Sequence, residues 1–266
     1  MTVLKSFFKG LLALPLAGSG LFVAASAEAA TFASADGQFL FENLSHVPTL
    51  TDTATDTQTL VVGFDGSVIA ESDANAIFNG AAGSAFNFTL QEARGEKGSY
   101  FGLAEGEASV LGNFAIAAGE TFSFDFAGAI DLFTLADEPG EFASAEVAIE
   151  FGVFGNTVDG PMEIDTFLIE GGLFTVGDDT FSIAASEGII PGQLAVGDGS
   201  GPDLGVESFF AGVSGAYARS FDQDMLLTLN EIKRGQVTVA ADVPEPSSAI
   251  ALLLLPIAAL RRKRVA

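Results

Sequence analysis

The sequence predicts an all-β domain, an antiparallel β-sandwich of the jelly-roll-like kind, with a closed barrel as the second arrangement. Three observations carry that expectation. Apolar and polar residues alternate at period two through most of the central chain. Glycines with neighbouring Asp or Asn punctuate the alternating runs. Amphipathic helical stripes are weak, while 25 phenylalanines supply bulk for a core between two sheets.

In chain order, the body starts polar. The Thr/Asp-rich stretch from Thr49 to Thr59 reads as a loop or an exposed edge. Leu60, Val62 and Phe64 then share one face of a strand. Ser72 to Ala82 suits one short helix, with Ser72 or Asp73 as its cap. Phe86, Phe88 and Leu90 fall on one side of the next strand and Asn87 and Thr89 on the other; Gly95 to Gly98 reads as a loop. Phe122, Phe124 and Phe126 alternate with Ser123 and Asp125, the pattern of a half-buried strand. The clearest strand runs from Ala143 to Val153, with Ala143, Ala145, Val147, Ile149, Phe151 and Val153 on one side and Glu146 and Glu150 on the other. Further strands are expected at Asp165 to Ile169, Gly172 to Val176, Thr180 to Ala184, Val206 to Tyr217, Met225 to Ile232 and Gln236 to Ala240. Gly177-Asp178-Asp179 fits a tight hairpin, and Arg234-Gly235 a comparable turn between the last two strands.

Both ends depart from this pattern. Lys5 and Lys9 precede an apolar run from Leu11 to Val23, and Ala25-Ser26-Ala27 and Ala27-Glu28-Ala29 each fit a small-x-small cleavage site. Residues 1–29 therefore read as a helical signal peptide cut after Ala29, with Ala27 and Ala29 flanking the final position. At the other end stand Val243-Pro244-Glu245-Pro246-Ser247, then 12 mostly apolar residues from Ala249 to Leu260, then Arg261, Arg262, Lys263 and Arg264. The apolar run is short against the roughly 20 residues of a stable span, which suits a transient anchor. The four cations hold its end in the cytoplasm and leave the body on the far side. The division is thus 1–29 leader, 30–242 β domain, and 243–266 sorting tail with a short hydrophobic helix.

That tail resembles the PEP-CTERM sorting signal of exported proteins in Gram-negative bacteria. The resemblance implies export through the Sec translocon and processing near Pro-Glu-Pro by an exosortase, a membrane transpeptidase. It also implies a transient stay in the inner membrane before release to the cell surface or an exopolysaccharide-rich biofilm matrix. It covers about a tenth of the chain and says nothing of the β domain.

Composition narrows what the domain does. The chain holds 35 acids and 11 bases; with both ends set aside, residues 30–242 keep 33 acids against five bases, Arg94, Lys97, Arg219, Lys233 and Arg234. A body so acidic repels nucleic acid and stays soluble through like-charge repulsion. Cysteine is absent, which removes disulfides and thiol chemistry. Tryptophan is absent and tyrosine rare, against the stacking platforms of a sugar-binding face.

Motifs for catalysis fail. His46 is the one histidine, too few for a multi-histidine metal site. Gly212-Val213-Ser214-Gly215-Ala216 misses the nucleophile elbow at its last position. Gly197-Asp198-Gly199-Ser200-Gly201 lacks the next glycine of a dinucleotide loop and has Pro202 there. No cofactor is expected. Calcium is the one ligand with some support, through the hard oxygens of Asp198, Ser200 and Asp203, although the spacing is not that of an EF-hand. The expected function is a non-enzymatic exported surface or matrix protein, structural or adhesive. The alternatives are a calcium- or carbohydrate-binding module acting on exopolysaccharide and, below it, a two-carboxylate glycoside hydrolase.

Overall fold

A computed structural model describes residues 30–157, 160–200 and 205–241. The expected signal peptide with Ala27 and Ala29, the expected sorting motif, the apolar run and the basic residues after it all lie outside the described residues, as does Asp203. Twelve strands follow in chain order: β1 (Ala30–Glu42), β2 (Leu50–Gly63), β3 (Ser67–Asn79), β4 (Ser84–Glu96), β5 (Tyr100–Ile116), β6 (Thr121–Leu135), β7 (Glu141–Thr157), β8 (Gly160–Phe174), β9 (Thr180–Ala185), β10 (Ile189–Ser200), β11 (Val206–Ser220) and β12 (Met225–Ala241). Hydrogen bonding sorts them into two six-stranded antiparallel sheets. Sheet A has the order β10-β11-β6-β1-β4-β3, and sheet B the order β2-β5-β12-β7-β8-β9. Among the described residues no helix is long and apolar enough to cross a membrane.

The alternation read from sequence places the core. Ala143, Ala145, Val147, Ile149, Phe151 and Val153 are all buried on the inner face of β7, and Phe122, Phe124 and Phe126 on that of β6. Phe151 is the hub of the aromatic packing, with ring centroids 5.6 Å from Phe39, 5.4 Å from Phe41, 5.8 Å from Phe124, 5.1 Å from Phe126 and 5.2 Å from Phe167. These rings come from both sheets, so they lock the two layers face to face.

Three local expectations are corrected. Ser72 to Ala82 is not a helix: β3 pairs with β4 from Ser67 to Asn79, and the turn follows at Gly80–Gly83. Its side chains alternate between half-buried and exposed at period two, and an open ladder on β4 overrides weak helix propensity. Arg234-Gly235 is not a turn. β12 runs through it unbroken, paired to Glu107 and Gly106 on one side and Ala148 and Val147 on the other. Asp165–Ile169 and Gly172–Val176 are likewise one strand, β8, up to Phe174. The Thr/Asp-rich stretch is the exposed strand β2 at the edge of sheet B, where charge discourages pairing with another chain. The Gly177 hairpin forms as expected between β8 and β9, with Gly177 at φ +131° and the Phe174 N–H donating to Asp179 Oδ1 at 3.0 Å.

Both ends of the described domain emerge at one end of the sandwich. Ala241 pairs with Tyr100 and Glu141. The Tyr100 hydroxyl lies 2.5 Å from Thr31 Oγ1, one residue into β1, and donates to Glu141 Oε1 at 3.3 Å. The first and last strands are thus joined through one tyrosine.

Truncating Phe151 to alanine removes the hub and leaves a cavity. The expected cost is about 3–5 kcal/mol, read as a lower denaturant midpoint with an unchanged slope. A loss under 1 kcal/mol contradicts the central packing role.

Candidate functional site

The inner faces of β4 and β12 carry five polar residues within a mostly apolar core. On β12 the inward positions run Leu227, Leu229, Glu231, Lys233, Gly235, Val237, Val239; on β4 they run Ala85, Asn87, Thr89, Gln91, Ala93. Residues two apart share a face, so Glu231 and Lys233 enter the core together. Glu231, Lys233, Asn87, Thr89 and Gln91 are all fully buried. Glycines make the room: a Cβ on Gly37 would stand 2.9 Å from Lys233 Cδ, and one on Gly235 or Gly106 would collide with the Gln91 amide.

The geometry centres on the Asn87 carboxamide. Lys233 Nζ donates to Asn87 Oδ1 at 2.6 Å and to the Asn87 main-chain oxygen at 2.8 Å. Asn87 Nδ2 donates to Glu231 Oε2 and, at 3.4 Å, to the Ala108 carbonyl. Gln91 Nε2 reaches Ser72 Oγ at 3.4 Å, which donates to the Glu105 carbonyl at 2.7 Å. Glu231 Oε1, Gln91 Oε1 and Thr89 Oγ1 are buried without a hydrogen-bond partner. Burial pushes the Glu231 carboxyl up to about 7, against the pull of Lys233 and Asn87. Burial pushes Lys233 down to about 8, against the attraction of Glu231 and Asp36. An amine and an acid, both displaced toward neutrality, thus flank one carboxamide in a site closed to water.

A second constellation ties the sheets near the other end. Asp165 of β8, 3% exposed, accepts from Ser186 Oγ at 2.7 Å, Gly188 N at 3.1 Å, Tyr217 OH at 3.1 Å and Arg219 Nη1 at 2.8 Å. Burial raises its pKa, but the bonds from Ser186, Arg219, Gly188 and Tyr217 outweigh this and hold the carboxyl below its ordinary range. Tyr217 and Arg219 belong to sheet A, so this is a bracket between layers.

His46 forms part of a fastening. Its Nδ1 lies 2.8 Å from Ser45 Oγ and its Nε2 3.3 Å from Glu120 Oε2. The order resembles a nucleophilic triad. Yet Ser45 Oγ also accepts the Ser123 N–H at 2.9 Å, and Glu120 Oε2 the Ala117 N–H at 3.0 Å, so both ends of the row tie down turns.

Of the calcium residues, Asp198 is exposed on β10 opposite Phe209, Ser200 closes that strand, and Asp203 lies outside the described residues. Among the described residues no three His, Cys, Asp or Glu side chains gather as metal ligands. The structure brings together Asn87, Glu231 and Lys233, which the sequence reading did not single out. The signal was there: an unbroken period-two reading of β12 puts both charges in line with Leu229 and Val237, but a turn placed at Arg234-Gly235 hid it. No protein-family model matches the chain, and no curated protein does.

On the outer face of sheet A, Asp36 and Asp131 stand directly opposite each other on β1 and β6. Partial burial raises both, and the Asp36 charge adds to the rise of Asp131, to about 6. The folded state therefore binds more protons than the unfolded chain between about pH 3.8 and 6, and stability contributed here falls as pH rises through that window. Asp131→Asn is expected to raise the melting temperature above pH 6, with the gain fading toward pH 3.8. Thermal melts across that range check it; a shift independent of pH contradicts it.

Proposed function

We propose that the chain is an exported cell-surface or extracellular-matrix protein, structural or adhesive in role, whose tail is processed by an exosortase. The observation that carries this reading is the shared exit of Ala30 and Ala241 at the Tyr100 end of the sandwich. A domain whose leader junction and tail junction lie at one end can be delivered and held by that end. The opposite end, with the turns at 43–49, 117–120 and 221–224, is then presented outward. Tethering needs no rearrangement of the sheets.

Two further features support a non-enzymatic role. The polar constellation with the most reactive groups is sealed in the core, where no external substrate reaches it. The middle of sheet B presents a polar patch to solvent, with Asn230, Arg234, Gln236 and Thr238 on β12 beside Glu105 and Glu107 on β5, as suits a hydrated matrix. We also place the domain among jelly-roll-like sandwiches, because most of its connections switch sheets, as from β1 to β2, β4 to β5, β6 to β7 and β11 to β12.

Replacing Pro244 and Glu245 by alanine in a host with an exosortase is expected to leave an unprocessed, membrane-associated form. Fractionation and mass spectrometry of the mature C-terminus read it. Identical processing of variant and parent overturns the assignment.

A further inference from the structure

We infer that the folded domain forms an intramolecular amide bond between the Lys233 and Asn87 side chains, with Glu231 handling the proton. Lys233 Nζ is held at 2.6 Å from Asn87 Oδ1 and 2.8 Å from the main-chain oxygen of the same residue, so the amine is pinned beside the side-chain amide. Glu231 bonds Asn87 Nδ2, the nitrogen that would leave. Nucleophile, electrophile and acid are all fully buried, so water does not compete with the amine.

The reaction balances without an oxidant or cofactor. Neutral Lys233 Nζ attacks Cγ of Asn87 and a C–N bond forms. Glu231, as the acid, protonates Nδ2; its carboxylate then takes the proton that Nζ releases. The Cγ–Nδ2 bond breaks and ammonia departs. Amine and primary carboxamide become a secondary amide plus ammonia, and Glu231 ends in the form in which it began. The upward displacement of the acid and the downward displacement of the amine favour the two reactive forms.

A simple buried ion pair accounts less well for the site. Such a pair is tolerated when every lone pair around it is bonded. Here Glu231 Oε1, Gln91 Oε1 and Thr89 Oγ1 have no partner. The domain also places one of the five cations of residues 30–242 in this core, in a chain without cysteine. The bond would join β4 of sheet A to β12 of sheet B, a staple that needs no disulfide. β12 is the strand that leads into the tail. If the domain is tethered as proposed, the staple holds the loaded strand; the bond itself does not depend on that reading.

The test is the intact mass of the purified domain under denaturing conditions. The expected value is about 17 Da below the sequence mass, the loss of one ammonia. Proteolysis should yield a branched peptide joining the segments that contain Asn87 and Lys233, and trypsin should not cut after Lys233. Glu231→Gln, Asn87→Ala and Lys233→Met should each show the full mass for their sequence and a linear peptide map. A full-mass parent overturns the proposal. So does a parent lighter by one ammonia whose Lys233 peptide is linear, since that marks a cyclised asparagine. The parent measurement decides even where a variant fails to fold.

Discussion

The inward register of β12 is the constraint on which the rest of the molecule depends. This strand lies in the middle of sheet B, paired with β5 along its whole length and with β7 from Leu227 to Ala241. Its period-two alternation sends Leu227, Leu229, Val237 and Val239 into the core, and by the same geometry it must send Glu231 and Lys233 there too. A slip of one residue would free both charges but would expose four aliphatic side chains. Burial of that apolar surface is worth more than the charges cost only if the charges find partners. Asn87 is that partner; Gly37 leaves room for the Lys233 chain, and Gly106 and Gly235 leave room for the Gln91 amide.

The core is therefore layered along the strands. On β1 the inward residues run Thr31, Ala33, Ala35, Gly37, Phe39, Phe41. Large rings fill one half, around Phe151. Small residues line the other half, and the polar cluster occupies the step between them. The two outer faces differ as well. The polar patch of Asn230, Arg234, Gln236 and Thr238 lies on the outside of β12 in sheet B, whereas Phe86, Phe88 and Leu90 are half-buried on the outside of β4 in sheet A. On β4 it is the asparagine–threonine–glutamine side, and not the phenylalanine side, that faces the partner sheet.

Much of the fold was legible in the sequence. Alternation around Phe122–Phe126 and Ala143–Val153 identified the core faces because those strands carry one clean hydrophobic side. The edge character of β2 was legible from its threonines and aspartates. Other parts were not, for physical reasons. β3 lacks a strong apolar side, since it lies at an edge with Ile69 and Ile77 exposed, so local propensity pointed elsewhere. Arg234-Gly235 carries turn-like residues inside a strand whose pairing on both flanks is long-range. The polar site was hidden for a further reason: Asn87 and Lys233 are 146 residues apart, and no local spacing announces their meeting. The signal peptide and sorting tail expected at the two ends lie outside the described residues and rest on sequence alone, through the order of charge, apolar run and small or Pro-Glu-Pro residues.

β12 passes unbroken through Arg234-Gly235 and carries Glu231 and Lys233 into the core. Hydrogen exchange of the native domain, resolved to single amides by NMR, tests it most directly. The account predicts that the Arg234 and Gly235 amides exchange as slowly as those of Leu229 and Val237, since all four lie in the same ladder. Rapid exchange confined to Arg234 and Gly235, between two protected segments, would mark a turn there and would remove the basis for the buried register.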